Sequence, residues 1–104
     1  MSEIDELQAK IKDFADRRNW GIFHTPKNLA MAITGEAGEL AAEFQWLTPE
    51  EAENLDVAKI EAVKMEIADV AIYLMRLSQI LGINLVEAVN KKLAINESRF
   101  PEVK

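Results

Sequence analysis

The sequence of 104 residues contains no cysteine and a single histidine, His24. Without cysteine, the chain can form neither a disulfide framework nor a thiolate metal site. With one histidine, it also lacks the two Glu-x-x-His motifs that a di-iron helical bundle requires. The absence of cysteine is compatible with a reducing compartment, and we predict a cytoplasmic protein.

Long apolar runs and an excess of basic residues are also missing. No stretch approaches 18 uncharged apolar residues, and the acidic residues 1–6 lack the apolar segment of a signal peptide, so we expect no membrane partner. The 18 acidic and 12 basic residues give a net charge of -6. We therefore expect no nucleic-acid partner, because contacts with phosphates need clustered Lys and Arg.

Alternating β-branched patterns typical of strands are absent, whereas signals for helix starts and ends are frequent. A Ser, Thr, Asp or Asn residue suited to N-capping precedes each predicted helix, and Gly82 suits the position that follows the third long helix. The sequence predicts one all-α domain spanning residues 1–104. The predicted long helices run from about Ser2 to Arg18, from Thr25 to Trp46, from Val57 to Leu81 and from Asn84 to Ser98, and Thr48 opens a short helical turn.

The third long helix has little polar surface between Ile67 and Leu81. A helix that is apolar nearly all round must be buried on most sides. The other helices of such a short chain can hardly cover it. We therefore predict a four-helix bundle whose core is completed by homo-oligomerisation, with this helix near a two-fold interface.

Two pairs of acids at helical spacing are the most informative feature of the chain. Residues three apart lie about 5–6 Å apart at Cβ on one face of a helix. Both pairs interrupt apolar stripes, where a carboxylate is costly unless it is neutralised. Because carboxylate oxygens are hard ligands, four of them that converge without basic partners predict a site for Mg²⁺ or Mn²⁺. The pairs are Glu36 with Glu39, and Glu66 with Asp69.

Such a site could hold one ion, or two ions about 3.5–4 Å apart, and so neutralise a triphosphate and orient a water. The alternative is that the acids lie on solvated helix faces, as the polar surroundings indicate for Glu50 and Glu53. Gly35 and Gly38 flank Glu36 inside a helix. They indicate either close helix packing or room beside the acids for a metal and its waters.

Aromatic and polar residues near the helix ends form a second candidate group. Trp20 and Trp46 have polar neighbours, so their rings could stack on a base or could simply close the ends of a small core. Lys92, Asn96 and Arg99 recur at i, i+4 and i+7 on the last helix. They could meet phosphates or sugar, or form a solvated face.

Several motifs together resemble the MazG-like nucleotide pyrophosphohydrolases, and most closely the branch of small dCTP pyrophosphatases. The resemblance extends over nearly the whole chain in order, with two departures: Gly35 stands where the wider family often has a further Glu, and Ala94 stands where the last helix of the family often carries an acid. The motifs are Phe23-His24-x-Pro26-x-Asn28-Leu29, Gly35-Glu36-Ala37-Gly38-Glu39-Leu40, Phe44-Gln45-Trp46, Glu66-Ile67-Ala68-Asp69-Val70 and Arg99-Phe100-Pro101.

The resemblance implies an all-α homodimer or homotetramer that uses Mg²⁺, which Mn²⁺ can replace, to cleave a nucleoside triphosphate to the monophosphate and pyrophosphate. It implies metal binding and catalysis by the four acids Glu36, Glu39, Glu66 and Asp69. It implies substrate contacts by Trp20, His24, Trp46, Tyr73, Lys92, Asn96 and Arg99.

The sequence thus predicts a magnesium-dependent hydrolase that acts on dCTP or a similar nucleotide and cleanses the nucleotide pool. Two alternatives stay open. One is a non-catalytic helical module for oligomerisation or interaction. The other is an enzyme resembling phosphoribosyl-ATP pyrophosphatase.

Overall fold

The structure is a computed structural model that describes residues 2–103. Met1 and Lys104, the two ends of the predicted domain, lie outside the described residues. Between them the chain is helical and has no strand, which confirms the predicted all-α class. The elements are α1 (Glu3–Asp16), a 3-10 turn (Trp20–Ile22), α2 (Pro26–Ala42), α3 (Pro49–Glu53), α4 (Val57–Ile80) and α5 (Leu85–Arg99).

The helices begin at the predicted caps. Ser2 Oγ accepts a hydrogen bond from the Asp5 N–H at 3.2 Å, and Thr25 Oγ1 accepts one from the Asn28 N–H at 3.2 Å. Such bonds satisfy backbone donors that a helix leaves free in its first turn. The side chains of Thr48, Asp56 and Asn84 cap α3, α4 and α5 in the same way.

Gly82 ends α4 as predicted. Its φ of 68° lies in the left-handed region, which glycine adopts without steric cost. The Ile83 N–H then donates to the Ser78 carbonyl at 2.8 Å, and the Gly82 N–H donates to the Gln79 carbonyl at 3.2 Å. This pair of bonds is the Schellman motif, and the chain turns sharply there: α4 and α5 meet at 102°.

Two helices end earlier in the chain than predicted. Helix α1 ends at Asp16 rather than near Arg18, and α2 ends at Ala42 rather than near Trp46. After Ala42 the backbone bonds shorten to three-residue spacing, from the Glu43 N–H to the Leu40 carbonyl at 3.2 Å and onward. This tighter turn ends α2. Trp46 therefore lies in the turn that follows the helix and not on the helix itself.

The core is formed by three of the long helices. Helix α2 packs against α4, and α1 packs on α4 as well. Ala15 and Leu29 are almost completely buried between them, and Val63 and Met75 are buried on α4. Helix α5 has no extensive contact with another helix within residues 2–103.

A single chain leaves much of its apolar surface exposed. Its accessible surface is 8120 Å², whereas a compact monomer of 11.7 kDa would have roughly 5,900 Å². The radius of gyration is 16.7 Å, against about 13 Å for a compact chain of this length. Within one chain, α4 is therefore not buried on most sides. Half-exposed apolar side chains on α4 and α5 include Ile60, Met65, Ile67, Val86, Val89 and Leu93.

No single helix within residues 2–103 is long and apolar enough to span a membrane, although α4 and α5 reach that length and hydropathy when the bent pair is counted together.

Candidate active site

The packing of α2 on α4 brings the acids of the two helices together. Glu36 and Glu39 project from one face of α2, and Glu66 faces them from α4. One carboxylate oxygen of each residue lies within 4.8 Å of the other two. The structure thus joins three of the four predicted acids into one cluster, which we call the carboxylate cluster.

Two oxygens of the carboxylate cluster have no partner. Glu36 Oε2 and Glu66 Oε2 are buried, and neither accepts a hydrogen bond from any residue between 2 and 103. A buried polar atom without a partner is costly, and a charged one more so. Their position predicts a ligand that the protein itself does not supply.

The charges that shift the pKa values of Glu36 and Glu66 are all negative. Burial raises the pKa of Glu36 above 4.5, and the nearby Glu39 carboxyl group and the charges of Asp69 and Glu66 raise it further. Burial also raises the pKa of Glu66, helped by the charges of Glu39, Asp69 and Glu43. Both shifts show that the ionised cluster is unfavourable without a counter-charge.

Asp69 lies outside the group of three but close to it, since its charge raises the pKa of both Glu36 and Glu66. It also lines a cavity of about 230 Å³ together with Trp20, His24 and Tyr73. Asp69 therefore connects the carboxylate cluster to the aromatic residues.

The donor set fits a hard divalent cation. The cluster offers carboxylate oxygens alone, and Mg²⁺ and Mn²⁺ prefer such ligands. The unpartnered oxygens of Glu36 and Glu66 are the observation on which this fit rests. A cation would offset both their burial and their mutual repulsion. Glu36, Glu39 and Glu66, with Asp69 beside them, are the residues that could hold it.

The two glycines of α2 leave space beside the acids. A Cβ atom placed on Gly35 or on Gly38 would meet no atom within 4 Å. No helix within residues 2–103 packs closely against them, so the packing interpretation of these glycines finds no support within one chain. The open surface is compatible with room for a metal and its waters.

Three predicted substrate residues lie together beside the carboxylate cluster. Trp20, His24 and Tyr73 line both the 230 Å³ cavity and a neighbouring one of about 370 Å³. The Trp20 ring packs edge-on against Phe14 at 5.5 Å between centroids and lies 6.1 Å from the His24 ring. We call these two spaces the aromatic cavity. Apolar walls with few polar groups are typical of small-molecule sites.

The other predicted substrate residues do not line the aromatic cavity. Trp46 lies in the turn after α2 with 87% of its surface exposed. Lys92, Asn96 and Arg99 lie on α5, which stands apart from the core because of the sharp turn at Gly82. Within one chain the structure therefore does not bring these four residues to the cluster.

Sequence reasoning missed two charged residues near the site. Glu43 raises the pKa of Glu66 and forms an ion pair with Lys59 at 2.9 Å. Its position one helical turn after Glu39 could have revealed it. Arg76 donates from Nε to His24 Nδ1 at 3.0 Å. It lies three residues after Tyr73 on α4, in a segment whose other residues are mostly apolar.

The raised pKa values predict how the metal-free protein responds to pH. Because folding raises the pKa of Glu36 and of Glu66, their contribution to stability is fully present below the ordinary value of 4.5. It is lost as the pH rises through the raised values. We expect the Glu36→Gln variant to gain stability relative to wild type as the pH rises from 4.5 to neutrality. Urea unfolding in the presence of a chelator, at several pH values, measures this difference.

Glu53→Gln is the matched control, because Glu53 is exposed on α3. Its difference from wild type should not grow with pH. A Glu36→Gln difference that stays constant between pH 4.5 and neutrality would contradict the electrostatic account of the cluster.

Several known proteins are similar to this chain in sequence, and one of them is also similar in fold. A pyrophosphatase from Archaeoglobus fulgidus, known from its crystal structure, superposes on the chain with a TM-score of 0.91. The two are 39% identical, over 98% of this chain and 95% of that one. Human dCTP pyrophosphatase 1 is 37% identical over 100 residues, which are 94% of this chain and 59% of the human protein. The bovine protein of the same name is 35% identical over the same shares.

The chain spans about three fifths of the length of these curated relatives. No protein-family model matches it. The likeness to the archaeal pyrophosphatase, however, covers nearly the full length of both chains in sequence and in fold. The chain belongs to the family of MazG-like nucleotide pyrophosphohydrolases.

Proposed function

We propose that this protein hydrolyses nucleoside triphosphates, with dCTP or a similar deoxynucleotide as substrate, to the monophosphate and pyrophosphate. The observation that carries the proposal is the pair of buried, unpartnered oxygens of Glu36 and Glu66 inside a cluster of three carboxylates. The named relatives support the same activity: two are dCTP pyrophosphatases and one is a pyrophosphatase. The role of this protein would be to cleanse the nucleotide pool.

Glu36, Glu39, Glu66 and Asp69 would hold Mg²⁺, for which Mn²⁺ could substitute. When bound, the ion would neutralise the charge of the triphosphate and orient a water at the α–β linkage. The carboxylates themselves have a second task. One carboxylate of the group could also accept the proton of the attacking water.

The aromatic cavity would hold the base. Trp20 and Tyr73 offer ring surfaces for stacking, and His24 offers a polar edge beside them. Asp69 lines the same cavity. A nucleotide whose base occupied this space would therefore have the carboxylate cluster near its phosphates.

We further infer a homodimer or homotetramer in the cytoplasm. The exposed apolar surface of α4 and α5 and the large radius of gyration support the oligomer. A second copy would bury side chains that water now contacts, at about 25 cal/mol per Å² of apolar area.

The decisive experiment incubates the purified protein with a panel of dNTPs and Mg²⁺ and measures pyrophosphate separately from phosphate. We expect pyrophosphate release, fastest with dCTP or another pyrimidine. Turnover of phosphoribosyl-ATP alone would identify the related pyrophosphatase instead. No turnover, with no uptake of divalent ions even when nucleotide is present, would leave a non-catalytic helical module.

Trp46 provides a separate test of base recognition, because within one chain it does not line the aromatic cavity and could stack on a base only at a site shared with a second copy. Stacking of an aromatic ring on a base contributes about 1–3 kcal/mol. We therefore expect the Trp46→Ala variant to raise KM about tenfold or more while kcat changes less. Because the ring is largely exposed, its removal should not affect folding. Steady-state kinetics with the preferred dNTP measures both constants.

Trp46→Phe is the matched control, since it keeps a flat ring at the same position. It should restore most of the affinity. An unchanged KM in the Trp46→Ala variant would reject the stacking role.

A further inference from the structure

Arg76 is a buried guanidinium that forms no ion pair with a carboxylate of residues 2–103, although Asp69 lines the same 230 Å³ cavity. It is 4% exposed, and none of the ion pairs among residues 2–103 includes it. A buried charge without a counter-ion is unfavourable, and arginine cannot lose its proton to avoid this cost. The position of Arg76 therefore calls for an explanation other than an ion pair.

Its hydrogen bonds hold the guanidinium in one orientation. Nε donates to His24 Nδ1 at 3.0 Å, and Nη1 donates to Gln79 Oε1 at 2.8 Å. The Gln79 amide donates in turn to the Gln8 carbonyl at 3.2 Å, and the Gln8 amide donates to the Met75 carbonyl at 2.9 Å. This network ties α1 to α4, so the guanidinium plane is fixed from both sides.

The bond to His24 determines where the imidazole carries its proton. A guanidinium N–H can only donate, so Nδ1 of His24 must accept through its lone pair. A neutral imidazole with a free lone pair on Nδ1 has its proton on Nε2. Burial and the nearby charge of Arg76 both lower the pKa of His24, which keeps the ring neutral.

We propose that Arg76 is a positioning residue that holds His24 in the Nε2–H tautomer, so that His24 presents a hydrogen-bond donor to the aromatic cavity. The proposal rests on the proposed function, because it assigns a task in base recognition to the cavity. Arg76 also lines the 230 Å³ part of the aromatic cavity, so the ring signals of His24, rather than kinetics alone, test whether it acts through His24.

The fixed donor has a consequence for substrate choice. His24 lines the 370 Å³ cavity together with Asn28, whose amide nitrogen is already donating to the Phe23 carbonyl at 3.0 Å. A donor that cannot become an acceptor favours a base that offers a carbonyl oxygen or an unprotonated ring nitrogen. A base that turned an N–H group toward it would leave two donors facing each other in a partly dry site.

The tautomer can be measured without any assay of activity. His24 is the only histidine of the chain, so labelling with ¹⁵N-histidine gives one pair of ring signals, and both belong to this residue. Couplings to the two ring C–H protons distinguish Nδ1 from Nε2. At neutral pH we expect the wild-type Nδ1 signal to be that of an unprotonated, pyridine-like nitrogen. The Nε2 signal should be that of a protonated, pyrrole-like nitrogen. A protonated Nδ1 would overturn the proposal.

Arg76→Met removes the donor and keeps an unbranched side chain of similar length. At a pH high enough to keep the ring neutral without the Arg76 charge, we expect the two ring signals to move toward the averaged values of a mixture of tautomers. Gln79→Met is the matched control, because it removes the other bond of Arg76 and should leave the tautomer unchanged. If Arg76→Met does not fold, Arg76→Leu removes the same donor with a different apolar side chain and should show the same averaging. A variant at position 76 with wild-type ring signals would overturn the proposal.

Kinetics separate positioning from a purely structural role. With the preferred dNTP, we expect Arg76→Met to raise KM about tenfold, the effect of one hydrogen bond in a site of low polarity, with kcat within about threefold of wild type. A fall in kcat at unchanged KM would contradict the role in base recognition. If the wild type hydrolyses no dNTP, the proposed function fails, whereas the tautomer is still decided by the ring signals.

Discussion

We expect the Glu39→Gln substitution to lower kcat/KM by about a thousandfold, while the far-ultraviolet circular dichroism stays that of the wild type. Glu39 supplies one of the three oxygens that lie within 4.8 Å of one another. Its amide counterpart has the same shape but no charge to offer a cation. Removing one electrostatic contact to a developing charge typically costs a hundred- to a thousandfold in rate. The measurement is pyrophosphate release with Mg²⁺ and the preferred dNTP, and Asp69→Asn should behave alike.

Glu53→Gln again provides the control, because Glu50 and Glu53 have the same three-residue spacing on exposed α3. Its kcat/KM should equal that of the wild type. Wild-type rates in the Glu39 or Asp69 variants would contradict the proposed mechanism. Loss of helical signal in either variant would instead show that the acid supports the fold.

Leu93→Asp is expected to convert a dimer or tetramer into a monomer at micromolar concentration and to make thermal stability independent of protein concentration. Leu93 is 57% exposed on α5, beside the half-exposed Val86 and Val89. A carboxylate there would be buried without a partner if a second copy covered this face. Analytical ultracentrifugation and melting curves at several concentrations measure the change, since an oligomer gains stability with concentration.

Ser98→Asp adds the same charge to the exposed, polar side of α5 and should leave the oligomer intact. A wild-type chain that sediments as a monomer would contradict the proposed oligomer outright. An oligomer that survives Leu93→Asp would show that α5 lies outside the interface.

The acids of the candidate site could be predicted because the evidence for them is local. Glu36, Glu39 and Glu66 interrupt apolar stripes at helical spacing, and the spacing alone places each pair on one face. The structure then joined these three in one cluster. Asp69, predicted with equal weight, lies beside the cluster and lines the aromatic cavity, a difference of position that helical periodicity does not resolve.

The role of Arg76 could not be predicted because its evidence is not local. The sequence places it in an apolar segment of α4, where a long side chain is expected to reach water. Its partner His24 is 52 residues away, and only the packing of the elements makes them neighbours. The exposure of Trp46 could not be predicted either. It follows from the tightened turn that ends α2, and the residues of that turn carry no recognisable helix-end signal.

Alone, the sequence determined the all-α class, the caps at which the helices begin, the turn at Gly82 and the acids of each pair. Each of these depends on residues within about one or two helical turns of one another, where side-chain chemistry and backbone geometry act directly. Tertiary structure alone decided which oxygens are left without a partner, that Arg76 bonds to His24, and that α5 stands apart from the core. These features depend on burial and on contacts between distant segments, which only the packing of the helices specifies.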